Sequence, residues 1–175
     1  MYDPDSEETK LGEWAQSNAD NYLKEIGKAI VDAHKSGSGK AALVRGQAGA
    51  MPVMDTIAIG DSEVWFVDAK GKTNSTFTRI TWTEQHGIDA RLWDCYCSQC
   101  KDAGVPGFII LSEKRREIAP CQFEDSNALL VYPLTDKIKG YRRVERKDME
   151  TPYGKGGMVY WDRDAFIASQ EIATQ

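Results

Sequence analysis

Two aspartates and a lysine stand at spacings that bring them together. The runs Val53–Ile59 and Val64–Lys70 flank the turn-forming Gly60-Asp61-Ser62-Glu63, and two β-rich runs around such a turn predict an antiparallel hairpin over 53–70. Pairing Ile59 with Val64 carries the register outward until Asp55 faces Asp68. Directly opposed residues have Cβ atoms about 4.5–5.5 Å apart, so two like charges there repel. Lys70, two residues past Asp68, leaves the strand on the same face. Two carboxylates and an ammonium on one otherwise apolar hairpin suit a divalent cation, which takes hard oxygen ligands, and a catalytic lysine beside it. The competing reading is a surface Asp–Lys cluster of nearly neutral energy. Against it, Val64, Trp65, Phe66 and Val67 make the strand apolar on both faces, as a central strand is. Charges at the end of such a strand are costly unless used.

The elements that must position this hairpin follow from periodicity and punctuation. Trp14, Ala15, Ala19, Tyr22, Leu23, Ile26 and Ile30 recur at helical spacing and predict a helix over 13–33, ended by Ser36-Gly37-Ser38-Gly39. A strand over 41–46 and a Gly/Ala-rich loop through Pro52 precede the hairpin. A polar Thr/Ser/Asn stretch, 73–83, leads into a second helix with Asp89 as N-cap and Gly104 and Pro106 as stop. Ile88, Leu92, Tyr96 and Ala103 form its sheet-facing stripe. The apolar run Gly107–Leu111 reads as a strand buried on both faces. A further strand is expected over 128–132 and a short C-terminal helix over 162–171. The order helix, strand, strand, strand, helix, strand gives an α/β sandwich around a mixed sheet. The second helix is the crossover between parallel strands.

Composition bounds the class. The 175 residues are 41% apolar, enough for one substantial core. No apolar run approaches the ~20 residues that span a bilayer. The acidic start Met1–Glu8 has no signal-peptide pattern, so a cytoplasmic location is expected. The net charge of −5 opposes contact with a polyanion. However, residues 137–147 hold six basic side chains against one Glu, either a local basic surface or a solvated charged face. Cys95 is rotated by roughly 200° from Cys97 on a helix. Cys95, Cys97, Cys100 and Cys121 therefore read as buried free thiols and not as metal ligands. Ser38-Gly39-Lys40 and Gly71-Lys72-Thr73 lack the spacing of a nucleotide-binding loop. His34 and His86 are too few for a histidine-based site and read as incidental. Tyr132, Tyr141, Tyr153, Tyr160 and Trp161 suit base stacking, core packing or dimerisation equally.

With Asp55, Asp68, Ala69 and Lys70 in this element order, the chain resembles the PD-(D/E)xK nuclease superfamily. Its signature is an acid opening one strand and acid-x-Lys on the next. Asp55 matches the first acid, and Asp68 and Lys70 match the acid-x-Lys around Ala69. Met54 stands where a proline commonly precedes the first acid, with Pro52 close by, and the second acid is Asp where Glu is commoner. Arg45 through Lys70 is similar to archaeal-type Holliday-junction resolvases. Gln85–Trp93, followed by Gly104-Val105-Pro106, is similar to small phage-encoded members.

The resemblance implies a restriction-endonuclease-like α-β-β-β-α-β core, a mixed central sheet flanked by helices. A single nuclease domain would span 1–175, with its core over 10–111 and a C-terminal extension over 112–175. The implied activity is metal-dependent DNA endonuclease action in phage or prokaryotic recombination or repair, resolvase-like, with Mg²⁺ replaceable by Mn²⁺. Asp55, Asp68 and the Ala69 carbonyl would hold the ion, and Lys70 would orient the attacking water or stabilise developing charge. Glu13 matches the helix-1 acid of many members. Pointing inward it would complete a second metal site or a water network; otherwise it is a solvated first-turn glutamate. Gln85 stands where members often carry a polar residue near the active site, and is otherwise an ordinary loop glutamine. Arg45, Lys72, Arg142 and Arg143 are either phosphate contacts or plain surface charges. The implied partner is branched or duplex DNA, and a symmetric junction favours a homodimer. No membrane and no nucleotide cofactor are expected. A phage-encoded member would act in the host cytoplasm. Two other readings stay open: a restriction-like or exonucleolytic DNase, and a non-catalytic nucleic-acid- or protein-binding module on the same fold. Retention of two mutually repelling carboxylates counts against the module.

Overall fold

The computed structural model describes residues 6–33, 43–46, 49–147 and 156–172. In chain order the elements are α1 (Glu7–Glu25), β1 (Ala29–Asp32), β2 (Leu43–Gly46), β3 (Gly49–Pro52), β4 (Thr56–Ile59), β5 (Val64–Asn74), β6 (Thr76–Thr78), β7 (Thr83–Asp89), α2 (Ala90–Ala103), β8 (Gly107–Ala119), β9 (Gln122–Pro133), β10 (Arg142–Glu145), β11 (Gly157–Asp162), a 3₁₀ turn (Arg163–Ala165) and β12 (Ala168–Glu171). A mixed six-stranded sheet, in the order β1-β4-β5-β8-β9-β12, carries the expected core. Only β5 and β8 run parallel in it, and α2 lies on the connection between them. A second sheet, β10-β11-β7-β6, covers part of the α2 face, and β2 and β3 form a separate ribbon. The first strand expected, over 41–46, is β2 of the separate ribbon. Its place in the six-stranded sheet is taken by β1, a segment read from the sequence as the end of the first helix, and β4, β5, α2 and β8 then follow in the expected order.

Helix α1 starts at Ser6, whose hydroxyl accepts from the Thr9 amide 3.2 Å away, with Glu7 and Glu8 favourably placed in the first turn. The helix stops a full two turns before the expected Ala33. Gly27 takes φ +78° and the Lys28 amide reaches back to the Leu23 carbonyl at 2.8 Å, a left-handed C-terminal cap. Ile30, read as one more helical repeat, lies instead on β1, opposite Ala58 of β4. The helix packs on the sheet through Ala15, Ala19 and Leu23. It approaches β5 closely at Gly71, where a Cβ would lie 2.6 Å from the Leu11 carbonyl oxygen.

Three further expectations are corrected. The Gly/Ala-rich segment before Pro52 is β3, paired with β2. The polar stretch 73–83 is the end of β5, all of β6 and the start of β7, because its threonines suit a sheet with one open face. The expected helix over 162–171 is one 3₁₀ turn followed by β12. The free edge of β9 supplies backbone partners that outweigh local helical preference, and the Ile167 amide donates to the Val131 carbonyl at 2.8 Å. Ser36–Gly39, the Ser38-Gly39-Lys40 motif, His34, Tyr153 and the first residues of the strand expected from Ala41 lie outside the described residues.

The run Gly107–Leu111 is buried on both faces as its composition predicts. Ile110 packs with Ala19, Leu23 and Val67 under α1, while Ile109 and Leu111 pack with Trp93, Tyr96 and Trp161 on the α2 side. The second sheet seats there through aromatic contacts, with ring centroids 5.6 Å apart for Trp93–Trp161 and 5.5 Å for Tyr132–Trp161. No helix among the described residues is long and apolar enough to cross a membrane. Ile110 is 0% exposed, so Ile110→Ala is expected to destabilise the protein by about 2–5 kcal/mol, read as a lowered midpoint in urea unfolding.

Candidate active site

The hairpin forms in the expected register. Ile59 pairs with Val64 and the ladder ends with Thr56 opposite Val67, so the next step outward sets Asp55 against Asp68. Asp55 lies just outside β4 and its Oδ2 accepts the Ala69 amide at 3.1 Å. The carbonyl of a strand residue leaves on the same side as its N–H, so the Ala69 oxygen also faces the edge that β4 vacates. Asp68 is 0% exposed. Its Oδ1 accepts the Tyr96 hydroxyl at 2.7 Å. Its Oδ2, which has no hydrogen-bond partner among the described residues, lies 2.7 Å from Lys70 Nζ as an ion pair. Met54 is buried beside this group, with its amide 3.3 Å from Oε1 of buried Gln99.

Burial acts to lower the Lys70 pKa, but the charges of Asp68 and then Asp55 outweigh it and hold the value above the ordinary one. The lysine is a fixed cation beside the two acids. Burial, reinforced by the Asp68 charge, raises the Tyr96 phenol, so this hydroxyl remains a donor that fixes the carboxylate.

A divalent ion fits this donor set. Mg²⁺ is held by one or two carboxylates, other oxygens and water. Here a buried carboxylate oxygen whose one close partner among the described residues is the Lys70 ammonium, a second carboxylate across the hairpin and a backbone oxygen lie on adjoining positions of the two strands. Among the described residues no group of three or more His, Cys, Asp or Glu side chains is placed to hold a metal.

A second polar group lies further along the same face of the sheet. Glu113 of β8, 0% exposed, accepts at Oε1 from Arg163 Nε at 3.0 Å and Nη2 at 2.7 Å, and its Oε2 is 2.9 Å from Nε2 of buried His86. Arg163 also donates to Ser126 Oγ at 3.0 Å, and Glu84 beside it pairs with Arg116. Burial pulls the His86 pKa below its ordinary 6.5 despite the attraction of Glu113. Burial would raise Glu113, but hydrogen bonds from His86 and Arg163 prevail and bring it down to about 2.

Asp55, Asp68, Ala69 and Lys70 are therefore brought together, with half-buried Lys72 beside Lys70, while Glu13, Gln85, Arg142 and Arg143 lie elsewhere. Glu13 is exposed on α1 and does not point inward. Gln85 lies on β7 and faces away from the six-stranded sheet, accepting from Arg142 Nη2 at 3.0 Å and lying 3.5 Å from Asp162 Oδ1. Its neighbour His86, read as incidental, faces the six-stranded sheet and meets Glu113. Much of the basic run 137–147 is already paired. Arg143 grips Asp94 with two bonds of 2.8 and 2.7 Å, Arg142 is bound to Gln85, and Lys139 reaches Asp164 at 2.6 Å. The Arg45 side chain lies outside the described positions. The thiols expected to be buried are only half-buried at Cys95, Cys97 and Cys100, and Cys121 is exposed, while all four are free. Burial pushes Cys97 and Cys100 up to about 11. Tyr96, Glu113 and Arg163 were not foreseen as site residues. Only the break from an apolar run into Glu113 signalled one of them.

No protein-family model and no curated protein match this chain. Among solved structures, a Holliday junction resolvase, Hjc from the archaeal hyperthermophile Archaeoglobus fulgidus, is similar at 13% identity and a TM-score of 0.49. The match covers 93% of this chain and 92% of that one.

His86 and Glu113 both have folded pKa values below their ordinary 6.5 and 4.5. The unfolded chain therefore binds more protons on acidification, and stability present above about pH 6.5 is lost progressively as pH falls towards 2. Thermal melts between about pH 7.5 and pH 3 should show this decline, and His86→Leu should flatten its portion between about pH 6.5 and 4.5. An unchanged profile in that variant would assign the decline to other groups.

Proposed function

We propose that this chain is a Mg²⁺-dependent nuclease hydrolysing phosphodiester bonds of DNA, an endonuclease of the kind that acts on branched DNA in recombination or repair. The observation that carries the reading is Asp68, a carboxylate with no exposed surface, held opposite Asp55 and 2.7 Å from Lys70. A like-charge pair at this position is unfavourable for the fold alone, and its burial adds a desolvation penalty. Both make sense where a cation and a phosphate are to be bound.

In this reading Asp55, Asp68 and the Ala69 carbonyl hold Mg²⁺, for which Mn²⁺ substitutes. When bound, the ion polarises phosphoryl oxygens and lowers the pKa of a coordinated water. The chain's own residues do the rest. Tyr96 locks the Asp68 carboxylate in place, so little reorganisation remains when substrate arrives. Lys70, kept protonated by the two acids, donates to a non-bridging phosphate oxygen and stabilises the charge that grows there as water attacks phosphorus. Met54 and the aromatic layer around Trp93 close the inner side of the site to solvent. A symmetric junction would be met by two copies of the chain.

The test is incubation with Mg²⁺ or Mn²⁺ and supercoiled, linear, single-stranded and four-way-junction DNA. Wild type should cleave, with branched DNA preferred. Asp68→Ala and Lys70→Ala, checked for folding, should lose about 10²–10⁴-fold in rate. Tyr96→Phe removes one hydrogen bond to a charged group and should lose about 10–100-fold. Folded wild type that cleaves none of these with either metal would overturn the proposal.

A further inference from the structure

β5 continues past Lys70, and Lys72 is the next side chain to leave it on the same face. In the parallel register Lys72 stands directly opposite Glu113 of β8. Opposite charges at facing positions attract, so a Lys72–Glu113 pair is the local expectation. It does not form. Both Glu113 oxygens are committed elsewhere: Oε1 accepts from two nitrogens of Arg163, and Oε2 accepts from Arg163 Nε at 3.2 Å with His86 Nε2 2.9 Å away. Among the described residues no carboxylate pairs with Lys72. The charge that acts on it is that of Lys70, and burial together with that charge lowers its pKa. His86 senses Lys72 as well. A half-buried ammonium beside a second one, with its facing carboxylate already neutralised, is electrostatically incomplete until an anion arrives.

The spacing indicates which anion. Successive same-face residues on a strand stand about 6.7 Å apart, of the order of one sugar–phosphate repeat in a nucleic-acid strand. We propose that Lys72 binds the backbone phosphate next to the one held at Lys70, and that Arg163 keeps Lys72 free for it by neutralising Glu113. The inference rests on the nuclease reading for the identity of the anion, and it makes Arg163 a positioning residue that acts through Glu113. It also gives the segment after β11 a part in the substrate track, since Arg163 opens the turn that follows that strand.

The experiment is fluorescence-anisotropy titration of a labelled duplex and a four-way junction in EDTA, where no cleavage occurs, over a series of salt concentrations. Each phosphate contact contributes about 0.9 to the slope of log K against log salt on duplex DNA. Lys72→Gln should reduce the slope by about that amount. Arg163→Met should do the same, because Glu113 then captures Lys72. Glu113→Gln added to Arg163→Met should restore the slope, a rescue that lost packing alone does not predict. An unchanged slope for folded Lys72→Gln overturns the phosphate site. A wild-type slope for folded Arg163→Met, or no restoration in the folded double variant, overturns the role of Arg163. Should Arg163→Met not fold, the double variant, which leaves no uncompensated carboxylate, must bind with the wild-type slope and lose it when Lys72→Gln is added; any other result overturns that role. Cleavage with Mg²⁺, measured in parallel, separates the two claims. Cleavage with an unchanged Lys72→Gln slope sinks this inference alone, and a reduced slope without cleavage sinks the nuclease reading alone. Absence of wild-type binding to either DNA at low salt overturns both.

Discussion

Asp68 sits on a central strand without any contact with solvent, between the Tyr96 hydroxyl and the Lys70 ammonium. An ionised carboxylate in that position has to be surrounded by donors and cations, or it neutralises or destabilises the fold. Meeting this requirement explains several features at once. α2 must cross the sheet at a height that places Tyr96 over β5. Lys70 must leave the same face two residues on. β4 must end at Thr56, so that Asp55 is carried past the ladder with β5 and its side chain takes the Ala69 amide, while its carbonyl accepts the Ala33 amide.

The parallel pairing of β5 with β8 makes this geometry stable. Parallel strands need a crossover, and here the connection includes β6 and β7 as well as α2. The crossover therefore brings a piece of a second sheet along with the helix. That sheet covers the face beyond the two acids and places His86 against Glu113. The residues after 111 take part in this arrangement instead of forming an appendage. Tyr132 and Trp161 are fully buried in the same cluster as Trp93 and Tyr96, and Arg163 neutralises Glu113. Two polar centres thus share one face of one strand pair. The first holds two acids and a lysine at an open edge, and the second is a closed network of buried charges. Lys72 stands between them with its facing carboxylate taken.

The hairpin was legible because a strand has a period of two. Once Ile59 and Val64 are paired around a short turn, the faces of Asp55, Asp68 and Lys70 follow with no further information. The punctuation of α2 was legible for the same local reason, since Asp89 caps and Gly104 stops within one turn of the helix they bound. Elsewhere local pattern misled. Ile26 and Ile30 fit a helical repeat, but Gly27 intervenes and Ile30 pairs across a sheet. The segment 162–171 lacks strong strand character and becomes a strand because β9 offers an edge. The basic run 137–147 suggested a cationic surface, yet Arg143 and Lys139 meet Asp94 and Asp164 from distant parts of the chain.

The sequence by itself determined the hairpin register, the convergence of Asp55, Asp68 and Lys70, and the order from the hairpin through the second helix to the buried strand after it. Each of these rests on short-range periodicity, turn chemistry or the sign of a charge. Only the tertiary structure decided which polar groups surround those residues. Tyr96 reaches Asp68 across 28 positions, Arg163 reaches Glu113 across 50, and Gln85 and His86, adjacent in sequence, face opposite ways. Such pairings depend on where sheets and helices stack, and stacking is set by the summed burial of many side chains and not by any local spacing.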